Sequence, residues 1–358
     1  MSPTNDLASW VDLSLVPGLG PARYRALLTE FGLPEEIKAA SPRQLSRVVP
    51  ESVAARIGDS DRSVPVSAAL RWSEQPGQTI VTLADPDYPQ QLLQIPDPPI
   101  LLYVIGDMRL LGSPSLAVVG SRNATQQGLS NAERFSRALS ESGLTIVSGL
   151  ALGIDAAAHR GAIGGSGSTI AVVGCGADVI YPMGNEALYA QIAENGAIAS
   201  EFPLGAPPAR ENFPRRNRLI SGLARGCLVI EAAIASGSLI TARFAAEQGR
   251  EVFAIPGSIH SPLSKGCHAL IKQGAKLVES AQDVLEELGA GAKTQVESPN
   301  LSDVEPGLLQ HMGYDPCTID SLAQRSSLTA EAISAMLLTL ELDGKVSRLS
   351  GGLYQRIS

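Results

Sequence analysis

Residues 212–250 read NFPRRNRLISGLARGCLVIEAAIASGSLITARFAAEQGR. An uninterrupted apolar run at 227–230 stands between two segments of helical character. A strand without polar alternation is buried on both faces, as in a parallel sheet covered by helices. Arg215, Arg216 and Arg218 surround Asn217 ahead of that strand. Glu231 stands at its carboxyl end, and Ser236-Gly237-Ser238 opens the next helix. Guanidinium groups fork onto phosphate oxygens. A Ser/Gly-rich helix start adds backbone N–H donors and the positive end of a helix dipole. The stretch therefore predicts an α/β layer whose mouth takes an anionic chain ligand.

The same rhythm of strand, turn and helix extends outward. Strands are expected at 79–83, 100–105, 116–119, 144–147, 169–173, 197–200 and 252–255. Gly120-Ser121-Arg122, Ser148-Gly149, Gly174-Cys175-Gly176, Glu201 and Pro256-Gly257 fall at carboxyl ends of these strands, where open α/β sheets bind ligands. Gly120-Ser121-Arg122 occupies the place of a dinucleotide phosphate loop. No GxGxxG follows any strand, so dinucleotide binding is poorly supported. No cofactor is expected. An arginine in place of the close-approach glycine suits an external phosphate instead. Lys265 adds a cation near the same edge.

Other titratable residues are read as supports. Asp155 and His159 lie at i and i+4 of one helix, a spacing that suits a hydrogen-bonded pair holding the 149–153 loop. Neither GxSxG nor SxxK offers a nucleophile to complete a triad. Glu201 and Glu231 are expected to form ion pairs. Their alternative is general acid or base work in a nucleotide-processing enzyme.

A chain of 358 residues exceeds one compact core. Residues 1–60 are expected to form a helical domain resembling a SAM or helix-hairpin-helix unit. Its turn at Val16–Pro21 is read as a packing turn, with a DNA phosphate contact near Arg23 and Arg25 as the alternative. A Rossmann-like α/β core is expected over 61–288, an acidic linker over 289–304, and a winged-helix domain over 305–358. The net charge of −8 argues against a nucleic-acid partner at first sight. Its distribution decides otherwise. Residues 112–275 carry 13 Lys/Arg and 11 Asp/Glu, whereas 281–315 carry one Lys and seven Asp/Glu. The segment 329–343, where a winged helix would read a groove, has three acids and no base. Duplex reading needs the opposite charge, so a protein-interaction or structural role is expected there.

No apolar run approaches membrane-spanning length, and a cytoplasmic location is expected. Cys175, Cys227, Cys267 and Cys317 lack ligand or disulfide spacing, so no metal is indicated. Aromatic residues make up 4% of the chain, which predicts binding dominated by backbone phosphates and strongly dependent on salt.

The segments VGSRNAT, SGLALGIDAAAHRGA, TIAVVGCGADVIYP, SEFPLG, FPRRNRLISGL, VIEA, SGSLITARFAAEQGREVFAIPGS and GCHALIKQGA follow one another between Val119 and Ala275. In this order they resemble the DNA-processing protein A family (DprA, also called Smf). The resemblance implies a Rossmann-like core that binds single-stranded DNA and helps load the RecA recombinase during natural transformation. It also implies a homodimer, and it establishes no catalytic activity. Carried onto matching positions, the family's DNA pocket includes Gly120, Ser121 and Arg122, the FPRRNR arginines and the Lys265 region. His268 departs from the Asn usual after Gly-Cys in the family. A nucleotide-processing enzyme and a winged-helix regulator are the alternative readings.

Overall fold

The computed structural model describes residues 3–59, 61–289, 307–326 and 328–357. Most of the expected linker lies outside them. The described core strands are β1 (Gln78–Thr82), β2 (Leu101–Gly106), β3 (Ser115–Gly120), β4 (Thr145–Ser148), β5 (Thr169–Val172), β6 (Ala197–Ser200), β7 (Gly226–Ile230), β8 (Glu251–Ala254) and β9 (Lys276–Leu277). They form one sheet in the order β1-β2-β6-β5-β4-β3-β7-β8-β9. The strands from β6 to β9 in this order are parallel, whereas β2 runs antiparallel to both β1 and β6. The sheet is thus Rossmann-like and mostly parallel, with an antiparallel edge. A parallel β1–β2 pair would need a long crossover, and the intervening chain holds only the four-residue helix Gln90–Leu93.

Apolar residues on both sides of each central strand explain the two helical layers. Ala117, Val119, Cys227 and Val229 face one cluster, packed with Leu219, Ile220 and Leu223 of the Asn212–Leu223 helix. Leu116, Val118, Leu228 and Ile230 face the other, packed with Leu139 and Ala157. Each large aliphatic side chain fully buried this way contributes about 1.5–3 kcal/mol.

The chain runs from β3 outward through β4, β5 and β6, then returns to place β7 on the other side of β3. The switch point of the sheet therefore lies between β3 and β7, where a crevice opens at the strands' carboxyl ends. Gly120 makes the close approach possible. A Cβ there would sit 1.9 Å from the carbonyl oxygen of Ile230.

The helical layer at the amino-terminal end extends beyond residue 60, to the Ser63–Ser73 helix. Its cluster includes Trp10, Leu27, Ile57 and Trp72, and it continues onto Ile80, Leu101 and Tyr103 of β1 and β2. Shared apolar surface ties this layer to the edge of the sheet. In the turn it presents, Arg23 Nη1 donates to Gly18 O at 2.8 Å, and Arg25 reaches Pro96 O and Asp97. At the other end, helices Ile319–Ser326 and Ala330–Leu342 pack with β10 (Cys317–Thr318), β11 (Val346–Arg348) and β12 (Leu353–Arg356). The small sheet has the order β10-β12-β11, a winged helix. The Ala330–Leu342 helix exposes Glu331 and Glu341 and carries no basic residue.

Candidate nucleic-acid interface

A cleft of about 760 Å³ lies at the switch point. Its floor is the end of β3. Ser121 is buried there, and its N–H donates to Glu231 O at 2.7 Å while its carbonyl accepts from Ile154 N at 3.1 Å. This hub turns Arg122 outward. The Arg122 guanidinium lies 5.7 Å from the centre of the Phe213 ring and makes no ion pair among the described residues. Arg210 is exposed on the same rim. The Asn212–Leu223 and Ser238–Glu247 helices both begin at this cleft, so two positive dipole ends meet there. Ser236, Gly237 and Ser238 line it, and Asn217 Nδ2 donates to Gly237 O at 3.4 Å.

The three clustered arginines do not share one direction. Arg216 is 4% exposed and donates to Gly149 O at 2.8 Å and to Val172 O. It therefore braces the ends of β4 and β5 from the wall of the cleft. Burial lowers its pKa to about 10, and it remains charged at neutral pH. Gly149 leaves room for it, since a Cβ there would lie 2.6 Å from Arg216 Nη1.

Arg215 and Arg218 turn away to Glu201. Arg218 binds it bidentately, with both N–O distances 2.8 Å, and Arg215 Nη2 joins at 3.1 Å. Arg218 Nε also lies 3.3 Å from Asp97 Oδ2. The expectation that all three arginines wall the cleft is corrected: helical periodicity spreads adjacent side chains around the axis. Lys265 is exposed at the start of the Lys265–Lys272 helix and is not part of the cleft wall. At the departing position, His268 Nε2 donates to Gly257 O at 3.0 Å.

Glu231 adopts a left-handed backbone (φ 51°), and its carboxylate accepts from Thr125 N at 2.8 Å and from Thr125 Oγ1. Thr125 caps the Gln126–Glu141 helix, so Glu231 fixes that helix beside the cleft. Asp155 accepts from Gly149 N at 3.1 Å and Ala151 N at 3.4 Å. Burial raises its pKa, against the pull of Arg216 and these N–H groups.

The expected Asp155–His159 pair does not form. His159 Nδ1 instead lies 2.7 Å from Thr169 Oγ1, which itself donates to Ile146 O. Asp155 at the helix start reaches the loop amides, whereas His159 one turn later meets β5.

Burial brings His159 down to about 3, and Arg216 and Arg160 push the same way. An unfolded imidazole titrates near 6.5. Between these values the unfolded chain takes up a proton that the folded chain refuses. The His159 contribution is therefore intact above about pH 6.5 and declines as pH falls, by about 1.4 kcal/mol per unit. Asp155, raised by burial, acts in the opposite sense: its contribution is greatest at low pH and is lost as pH rises through its folded pKa. Urea unfolding between about pH 6.5 and 4.5 is expected to give a shallower slope for His159→Gln than for the native chain. Equal slopes would remove His159 from the account.

Arg210, Phe213 and Tyr181 were not predicted as site residues. Tyr181 is exposed, and its ring centre lies 5.6 Å from that of Phe213 at the lip of the cleft. Phe213 belongs to the arginine stretch, whose aromatic member gives the one signal in the sequence. Arg210 sits in a Pro-rich loop without periodicity.

Among the described residues, no group of three or more His, Cys, Asp or Glu could hold a metal, and no helix is long and apolar enough to cross a membrane. The fold defines a Rossmann-like protein with a cleft, lined by Arg122, Arg210 and two helix N-termini, at the switch point of its sheet. The chain belongs to the DNA recombination-mediator protein A family, which it matches over residues 79–289. Residues 291–352 match the DprA winged helix domain.

Protein Smf of Escherichia coli is 44% identical over 303 residues, covering 82% of this chain and 81% of that protein. The structure of DNA processing protein A from Streptococcus pneumoniae superposes with a TM-score of 0.69 at 41% identity, covering 78% of this chain and 97% of that one. A structure of DNA processing protein A from Helicobacter pylori has a TM-score of 0.54 at 32% identity and covers 58% of this chain and 95% of that one. The H. pylori work describes that protein's single-stranded DNA binding mode.

Proposed function

We propose that this chain binds single-stranded DNA in the switch-point cleft and, as a cytoplasmic homodimer, delivers it to a RecA-type recombinase during natural transformation. The observation that carries the reading is the pairing of Arg122 and Arg210, free of ion pairs among the described residues, with two helix N-termini on one rim. Phosphates lie against these groups, with Ser121, Arg216, Asn217 and the Ser236–Ser238 turn completing the wall. Tyr181 and Phe213 supply a small stacking platform beside the phosphate track, so bases contribute more than the low aromatic content predicts. Glu201 and Glu231 are both committed to fixed partners, which favours binding over the nucleotide-cleaving alternative. The acidic Ala330–Leu342 helix favours it over a duplex-reading regulator.

Fluorescence anisotropy with matched single-stranded and duplex oligonucleotides across a salt series tests the reading. Tighter single-strand binding that weakens linearly with the logarithm of salt is expected. Preference for the duplex would overturn it.

A further inference from the structure

The Ala330–Leu342 helix packs onto its own domain through Ile333 and Leu337, which are fully buried, with Met336 and Leu340 beside them. A different stripe of the same helix is left in solvent. Glu331, Ala335, Leu338 and Leu342 follow the spacing i, i+4, i+7 and i+11, which places them on one face. Leu338 is 59% exposed and Leu342, one turn later, is 81% exposed. The core of the domain closes without them. Single exposed leucines are ordinary, but a pair in register on one stripe marks a contact surface.

The polar neighbours of the stripe do not suit a nucleic acid. Ser334 Oγ donates to Ala330 O at 2.8 Å and Thr339 Oγ1 to Ala335 O at 3.2 Å, so both hydroxyls are satisfied within the helix. Glu331, Glu341 and Asp343 are exposed and join no ion pair among the described residues. The bases of this domain, Arg325, Lys345, Arg348 and Arg356, stand on other elements. Glu341 and Asp343 also lie at the carboxyl end of the helix, where the dipole is negative and the last turn has no basic residue to offset them. A cation supplied from outside relieves that end.

Charge decides what covers the stripe. A second copy of this chain would bring the same acids against each other across a twofold contact. The connecting segment 290–306 carries one Lys and three acids, so it does not complement the face either. We propose that this face docks a basic amphipathic helix of another protein. Two apolar side chains one turn apart on that helix pack against Leu338 and Leu342, and its Lys or Arg side chains meet Glu331 and Glu341. The proposal does not depend on the DNA cleft.

Panning a display library of helical peptides against the full chain tests it. Leu338→Ser/Leu342→Ser and Glu331→Gln/Glu341→Gln serve as parallel baits, with circular dichroism to check that each keeps the native fold. Peptides with two apolar residues one turn apart and Lys or Arg beside them are the expected product, recovered about tenfold less or lower on either variant. Should the serine pair disturb the fold, Leu342→Ser alone changes the more exposed position. Sedimentation velocity of the native chain and the leucine variant accompanies the panning. Recovery indifferent to either variant, recovery without preference for basic peptides, or self-association that the leucine variant loses overturns the proposal.

Discussion

Replacing Arg122 and Arg210 together by Ala is expected to weaken binding of a single-stranded oligonucleotide by about 30- to 100-fold at moderate salt. Neither guanidinium has an ion-pair partner among the described residues, so a phosphate does not have to displace a carboxylate to reach them. Each phosphate neutralised on a single strand contributes about 0.7 to the salt slope, so the double variant should lose about 1.4. Arg215→Ala supplies the contrast. Arg215 is 45% exposed yet is held against Glu201 and the Phe202 ring, away from the cleft. Its loss should leave the slope nearly intact. If Arg215→Ala flattened the slope as much as the double variant, the DNA track would run past the amino-terminal helical layer instead.

The second large effect is on stability. Glu201→Ala is expected to destabilise the core by about 3–5 kcal/mol, the range for breaking a buried ion pair by removing one partner. The Glu201 side chain is 2% exposed and Arg218 is 9% exposed, so solvent cannot replace the lost carboxylate. Asp97 compensates only in part, since it reaches Arg218 through one contact at 3.3 Å. Denaturant unfolding followed by circular dichroism measures the change. A loss below about 1 kcal/mol, the range of exposed pairs, would place this network among surface ion pairs. Glu201→Gln keeps the shape and removes the charge, which separates electrostatic loss from the cavity left by Ala.

The two experiments separate roles that the sequence runs together. Arg215, Arg216 and Arg218 occupy four consecutive positions with Asn217, and composition offers no reason to treat them differently. In the folded chain one braces strand ends, two neutralise a buried carboxylate, and the exposed cleft cations come from Arg122 and Arg210. Likewise the spacing of Asp155 and His159 permits a pair, but the helix directs one side chain to a loop and the other to β5. Spacing along a helix says which residues share a face. It does not say which neighbouring element offers the better partner.

The sequence by itself determined the alternation of strand and helix, the burial of both sheet faces and the placing of Gly120-Ser121-Arg122 and Glu231 at strand ends. Those features are local, since unbroken apolar runs and glycine turns carry them. It also determined the acidic character of the winged helix. Tertiary structure alone decided the antiparallel edge, the position of β7 beside β3, and hence which loops share a cleft. Strand order depends on contacts between residues far apart in the chain, which no local pattern encodes. The direction of each arginine was settled in the same way, by the carboxylates and carbonyls that folding brought within reach.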